Sequence, residues 1–378
     1  MPDLLIRNAR RFGEDARVGW LLVDAGRITA LGTGTEPPAA AVHDADGALV
    51  APGFVDIHCH GGGGASGEAG PDDIRRAAAF HRSHGTTSIV ISLATAPMEL
   101  MLQRLADIAA VADQDDRILG AHLEGPYLSP AHRGAHDERL LCAPTLAAVR
   151  EILATANGHL RQITLAPERA PEGVIEALVA GGVRVAVGHT AATREQAASA
   201  FARGASILTH AFNGMPGLHH REPGPVLAAW RNPSVTIEVI ADGVHVHPDA
   251  IAMLFALAPG RMALVTDAIA AAGAPDGDYP LGAFVATVRD GIARIGASGS
   301  LAGSTLTMDR AVRTVIGAGI APEDAIRAAT STPARTLGEA HLGVLRAGAP
   351  ADLVQFDDQF RLTRIWSRGQ SVEPATVG

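Results

Sequence analysis

The chain contains no lysine: all 31 of its basic residues are arginine. Schiff-base chemistry, P-loop phosphate chemistry and a carboxylated-lysine metal bridge each need a lysine amine, so all three are excluded. Only two cysteines are present, Cys59 and Cys142, too few for a disulfide framework. No apolar run reaches the 18 residues of a membrane span. The opening MPDLLIRNARR carries charge where a signal peptide needs an apolar region, so a cytoplasmic protein is expected. There is no basic block, and the formal net charge is −9. Nucleic acid is therefore not an expected partner, and an anionic substrate would have to be held by local donors.

What is present is a long, evenly mixed chain. Its 378 residues, 47% hydrophobic and 19% charged, can bury a large core and leave room for a barrel-sized domain with a smaller one. The stretch APGFVDIHCHGG, residues 51–62, organises the rest. Phe54-Val55-Asp56-Ile57 is a short apolar strand, with His58 and His60 at its far end. Residues two apart on a strand share a face, so the two imidazoles point the same way, into a glycine-rich turn that suits a metal site. Two polar residues entering a loop is the simpler reading of this pair taken alone. Cys59 faces the other way, as a small buried residue.

Residues 4–50 read as short strands with tight turns, Asp24-Ala25-Gly26 being a hairpin signal. The far end has the same character in GVLRAGAPADLVQFD and LTRIWSRGQSV. We expect a small β-sandwich domain assembled from both termini, residues 1–50 and 340–378, around a catalytic unit of residues 51–339. Within that unit, strand-length apolar runs begin with FVDIHCH. They continue with TTSIVISL, ILGAHLEGP, RQITLAPE, VRVAVGHT, ASILTHAFN, VTIEVIADGVH and MALVTDA. Helical periodicity between runs, as in PDDIRRAAAFHRSHG, implies a parallel α/β sheet, and eight strands imply a (β/α)8 TIM-type barrel. An open doubly wound sheet is the alternative, although no GxGxxG follows the first strand.

Such barrels carry their active sites at the C-terminal strand ends. His58 and His60 end strand one, Glu124 strand three, His189 strand five, His210 strand six and Asp267 strand eight. Four imidazoles and a carboxylate form a first shell for one or two divalent metals of the zinc or iron type. Asp267 can exchange a proton with water beside such a metal, or can cap the helix that AIAAAG would begin. His122 shares a strand face with Glu124, and either supports the site or is a satisfied core histidine.

FVDIHCHGGGG, HLEGPYL, VGHT, THAFNGMPGLHHREPG, ADGVH, VTDA and LAGSTLTMDRA together resemble the N-acetylglucosamine-6-phosphate deacetylases of the amidohydrolase superfamily. The resemblance spans nearly the whole chain. It implies hydrolysis of the acetamide of a phosphorylated N-acetyl amino sugar to acetate and free amine, by a homodimer. It also implies Glu124, His189 and His210 as metal ligands and Asp267 as catalytic acid/base. Members that keep both strand-one histidines hold two metals, so two Zn2+ or Fe2+ per subunit are expected, with Glu124 as the bridge. The implied substrate contacts are Ala135, His136, Asn213, Gly214, Arg221, Asp242 to His245, Leu301, Ala302 and Gly303. Arg221 grips the phosphate and reaches into the neighbouring subunit's site. His43, His81, His84, His132, His159, His219, His220, His247 and His341 receive no role. Two rivals remain: another amidohydrolase, such as an N-acetylgalactosamine-6-phosphate deacetylase or an aminoacylase- or deaminase-like enzyme, and a non-catalytic scaffold of the same fold.

Overall fold

The computed structural model describes residues 1–13, 18–296 and 299–375. Eight parallel strands form its central sheet: β1 (Phe54–Cys59), β2 (Thr86–Ala94), β3 (Ile118–Glu124), β4 (Leu160–Leu165), β5 (Arg184–Val187), β6 (Ile207–Leu208), β7 (Thr236–Ile240) and β8 (Met262–Val265). Each pairs with the next in sequence, and helices such as Pro71–Ser83, Met98–Ala112 and Leu146–Ala156 fill the crossovers. All eight expected strands are present. β2 is buried along its whole length, which explains its unbroken apolar run: barrel core lies on one face and helices on the other. Local signals agree with the global fold. Thr193 caps the helix Arg194–Ala202, accepting from the Gln196 N–H while the Gln196 side chain accepts from the Thr193 N–H.

The barrel seam lies between β8 and β1, the two edges of the strand order. It is joined at the C-terminal end, where the Asp267 N–H donates to the His58 carbonyl at 2.8 Å and the His60 N–H to the Ala268 carbonyl at 2.8 Å. Below these, the Thr266 hydroxyl donates to Asp56 Oδ2 at 2.6 Å. The seam is thus hydrogen-bonded at the residues singled out from sequence.

A second sheet of eight strands is built from both ends of the chain. Leu49–Pro52 runs antiparallel to Leu353–Phe356, and Gly53 alone separates it from β1. Asp24-Ala25-Gly26 turns as expected, with Ala25 and Gly26 both at positive φ in a two-residue hairpin loop. The edge strand Arg27–Gly32 hydrogen-bonds back to residues 348–351, which lead into Leu353–Phe356. The sheet therefore folds over a small core that includes Ile6, Leu21, Ile28, Leu353 and Trp366. His43 and Trp366, on strands not paired with each other, stack edge-to-face at 5.1 Å across that fold. Residues 14–17 and 376–378 of the expected terminal domain lie outside the described residues.

One element was not expected. Between β8 and the helix Met308–Gly317, the strands Gly277–Leu281, Phe284–Arg289, Ile292–Ile295 and Ser300–Leu301 form an antiparallel sheet. Its own core includes Leu281, Ala286, Val288 and Ala293. The Asp290-Gly291 pair between two alternating segments is a hairpin signal that could have located it.

Candidate active site

Alternation on β1 places Asp56, His58 and His60 on the inner face of the barrel, all buried. On β3 the same rule brings His122 and Glu124 inward. β5, β6 and β8 deliver His189, His210 and Asp267 by a different device: each sits just past its strand at positive φ, +44°, +25° and +48°. The left-handed conformation costs a residue other than glycine about 1–2 kcal/mol, so the surrounding bonds must hold it. For Asp267 those bonds are its N–H to the His58 carbonyl and the Ser304 N–H to its own carbonyl, at 2.8 and 2.7 Å. For His189, the Ser129 N–H donates to its carbonyl at 2.8 Å.

Five imidazoles converge on Glu124. Oε1 lies 3.0 Å from His210 Nε2, 3.1 Å from His189 Nε2 and 3.5 Å from His58 Nε2. Oε2 lies 3.2 Å from His60 Nε2 and 3.6 Å from His136 Nε2. Asp267 Oδ1 is 3.3 Å from His60 Nε2 and 3.5 Å from His58 Nε2. His58, His60, Glu124 and Asp267 offer ligand atoms within 4.8 Å of one another, and so do Glu124, His136 and His189. The cluster thus brings together all six residues picked from strand ends and adds His136.

The ring orientations separate ligands from donors. His189 Nδ1 donates to the His132 carbonyl at 2.9 Å, so the neutral ring aims a lone pair from Nε2 at the cluster. His58 has its Nδ1 on Glu238, and its buried Nε2 has no hydrogen-bond partner among the described residues. His210 Nε2 and His189 Nε2 approach to 3.1 Å. Lone pairs from His189, His58 and Glu124 therefore meet with nothing but added protons or a cation to reconcile them, and this donor set fits divalent metal. His136 is the exception: its Nδ1 accepts from the Thr95 N–H at 3.3 Å, which leaves the proton on Nε2. That ring is a hydrogen-bond donor to the site.

Charge follows the same geometry. Burial opposes protonation of His58 and His60, but Asp267 and Glu124 outweigh it, raising His58 strongly and His60 to about 9. Burial also disfavours the ionised Glu124, yet His58 and the surrounding imidazoles hold it well below the ordinary carboxylate range. Burial lowers His136, only partly offset by Glu124. His122 is lowered strongly, by burial and then by the charge of His58. Its nitrogens bond the Ser92 and Thr164 hydroxyls at 2.9 and 2.8 Å, and its ring packs edge-on against His58 at 4.5 Å. His122 is thus a satisfied core histidine lying directly beneath the cluster.

Two buried carboxylates of this layer escaped the sequence reading. Asp56 accepts from Thr266 and from the His58 N–H, and burial lifts it to about 6. Glu238, fully buried on β7, contacts His58, His210 and Gln162. The available signal was an acid at an inward position of an otherwise apolar strand, VTIEVI.

Above the cluster opens a cavity of about 180 Å³, lined among others by His60, Glu124, Ala135, His136, His189, His210, Asn213, Gly214, His245, Asp267, Leu301 and Gly303. Leu281 and Leu301 bring the unexpected antiparallel sheet into its wall. Five expected substrate contacts do not line it: Arg221, Asp242, Gly243, Val244 and Ala302. Ala302 is buried in that sheet's core. Asp242 pairs with His245 Nδ1 at 2.7 Å and accepts from the N–H groups of Val244 and His245, so it orients His245. Arg221 is exposed on the loop after β6, with its guanidinium 2.7 Å from His220 Nε2.

Residues 49–377 match the amidohydrolase family. The N-acetylgalactosamine-6-phosphate deacetylase of Escherichia coli O157:H7 is 39% identical over 89% of this chain and 90% of its own. The N-acetylglucosamine-6-phosphate deacetylase of Vibrio furnissii is 37% identical over 86% and 83%. Among solved structures, a point variant of the Mycobacterium smegmatis N-acetyl-D-glucosamine-6-phosphate deacetylase in complex with N-acetyl-D-glucosamine-6-phosphate superposes with a TM-score of 0.91. It is 39% identical and covers 97% of this chain and 98% of its own.

Proposed function

The chain belongs to the amidohydrolase family, and from that premise we propose that it hydrolyses N-acetyl-D-glucosamine 6-phosphate to D-glucosamine 6-phosphate and acetate. The observation that carries this reading is the convergence of imidazoles on Glu124 and Asp267 beneath a cavity of sugar size. His58, His60, Glu124, His189 and His210 would hold two divalent ions, zinc or iron. Every ion-pair partner of Glu124 and Asp267 among the described residues is a histidine, so two divalent cations would balance a site otherwise rich in buried acid. A bound metal supplies Lewis acidity, which acidifies water and polarises an amide carbonyl.

The chain's own groups do the rest. Asp267 takes a proton at its carboxylate from the attacking water as the new C–O bond forms, and returns it to the nitrogen as the C–N bond breaks. His136 donates from Nε2 to the amide oxygen, where negative charge develops. His245 is raised, the Asp242 carboxylate outweighing burial, and presents a donor to sugar hydroxyls or phosphate. Ala135, Asn213, Gly214, Leu301 and Gly303 shape the pocket. Arg221, lying away from its own cavity, would grip the 6-phosphate in the neighbouring subunit of a homodimer. Cytoplasmic residence belongs to the same proposal; among the described residues no helix is long and apolar enough to cross a membrane. So does the division into residues 1–50 with 340–378 and residues 51–339; the pairing of strands from both ends in one sheet supports it, with Ala51 and Pro52 also pairing in that sheet.

The galacto-configured substrate is a second reading, favoured by the 39% identity to the E. coli deacetylase. Acetate release from N-acetylglucosamine and N-acetylgalactosamine, each with and without 6-phosphate, separates the two. Turnover is expected for 6-phosphates, the gluco form fastest; no turnover of any phosphorylated sugar refutes both readings.

A further inference from the structure

We propose that Glu238 is a positioning residue for His58, and that it governs retention of the metal on the His58–His60 side of the site. The inference rests on the metal-dependent reading above. Glu238 lies at the centre of β7 and is fully buried. Its Oε1 accepts from Gln162 Nε2 at 2.8 Å, and its Oε2 takes His58 Nδ1 and the His210 backbone N–H, both at 3.3 Å. Its own carbonyl accepts from the Ala211 N–H at 2.8 Å, so one residue ties β7 to the chain around both His58 and His210.

Three N–H donors surround this carboxylate, and that fixes the ring it touches. With its Nδ1 proton on Glu238, His58 must present an Nε2 lone pair, and this atom is buried, without a partner, and 3.5 Å from both Glu124 and Asp267. The other rings lack this arrangement. Among the described residues His60 Nδ1 and His210 Nδ1 are buried without a hydrogen-bond partner, and His189 Nδ1 is held by a neutral carbonyl. A carboxylate partner both orients an imidazole and makes it a more basic ligand. The effect should therefore be selective, strong for the ion His58 holds and weak for the ion held by His189 and His210.

Glu238→Gln tests it. The amide keeps the volume and, with Gln162 turned to present its otherwise unpartnered Oε1, can still meet His58 Nδ1 and the His210 N–H, but through a neutral oxygen in place of a carboxylate. Metal content is measured after equilibration with zinc buffered by a graded chelator, and Co2+-loaded protein is followed by absorption. Wild type should hold two ions per chain. The variant should hold one at free zinc levels that saturate wild type, with a 10–100-fold weaker second site. Excess zinc should restore the zinc content, and excess Co2+ the visible spectrum of the cobalt-loaded protein. On a His58→Asn background the substitution should change metal content no further. Two ions held at wild-type affinity, or equal loss of both, would overturn the proposal. If Glu238→Gln yields no folded protein, the same titration on Glu238→Asp, whose shorter side chain retreats from His58, decides it. A wild-type protein that binds no metal would instead sink the functional reading on which the proposal rests.

Discussion

Replacing Gly214 by alanine should disable the enzyme through His189 without unfolding it. Gly214 has a φ of +58°, and a Cβ there would lie 2.7 Å from His189 Nδ1, 3.0 Å from Cε1 and 3.3 Å from the His132 carbonyl oxygen. The first contact is far inside van der Waals distance, and it falls on the atom that donates to that same carbonyl. The ring has little room to give way, since a Cβ on Gly134 would also lie 3.0 Å from Cε1. The left-handed backbone alone should cost about 1–2 kcal/mol. Displacing the His189 ring by up to about an ångström should add a loss of up to roughly 10²-fold in kcat/KM, as misplacement of a catalytic group does. Gly158→Ala is the control: φ is +86°, and nothing lies within 4 Å of the added Cβ. Thermal unfolding and acetate release measured on both variants separate backbone strain from the clash. If Gly214→Ala loses no more activity than Gly158→Ala, His189 is not confined as described.

Asp267→Asn should keep metal and substrate binding and lose about 10²–10⁴-fold in kcat by steady-state assay, because an amide cannot accept the proton; an unchanged kcat with a raised KM would make Asp267 a binding residue. Arg221→Ala should lower kcat/KM by about 10- to 150-fold, as loss of a charge-assisted contact worth roughly 1.5–3 kcal/mol does. Mixed dimers of Arg221→Ala and Asp267→Asn protomers should regain activity, since sharing across the interface leaves one site intact; mixtures no better than their parents would show that the residue acts at home. His81 is fully buried, and burial holds its ring at about 4 against an ordinary 6.5. Between those values the unfolded chain binds a proton that the folded chain refuses, so stability is complete above 6.5 and falls as the pH drops. From pH 7.5 to 5.0 the loss should be about 2 kcal/mol. Urea unfolding of metal-free protein should show this loss reduced by that amount in His81→Gln, and an unchanged pH slope would refute the assignment.

The strand-end residues were legible because a period of two and the barrel's geometry act together: once FVDIHCH is a strand, His58 and His60 must share a face. His189, His210 and Asp267 were readable from their apolar runs, although nothing in those runs foretells their positive φ. Glu238 was hidden because an acid inside VTIEVI contradicts burial until its three N–H donors, from β1, β4 and the turn after β6, are in place. His136 was read as a substrate contact from resemblance; its tautomer depends on the Thr95 N–H, which only folding brings near. The inserted sheet was hard to read because its strands are short and largely exposed, so little besides Asp290-Gly291 marks them. Asp242 and Arg221 were placed by resemblance alone: only the folded chain shows that Asp242 holds His245 Nδ1 and that Arg221 is exposed beside His220.

The seam between β8 and β1 has a consequence for biosynthesis. His58 and His60 on β1 are synthesised before the other strands of the barrel, whereas Asp267, whose N–H closes on the His58 carbonyl, follows only after most of the barrel has been made. Closing so long a segment is entropically costly and slow, and the pairing of Leu49–Pro52 with Leu353–Phe356 delays completion further still. The buried cluster is therefore completed only when β8 shuts the ring, after the other seven strands of the barrel have been made.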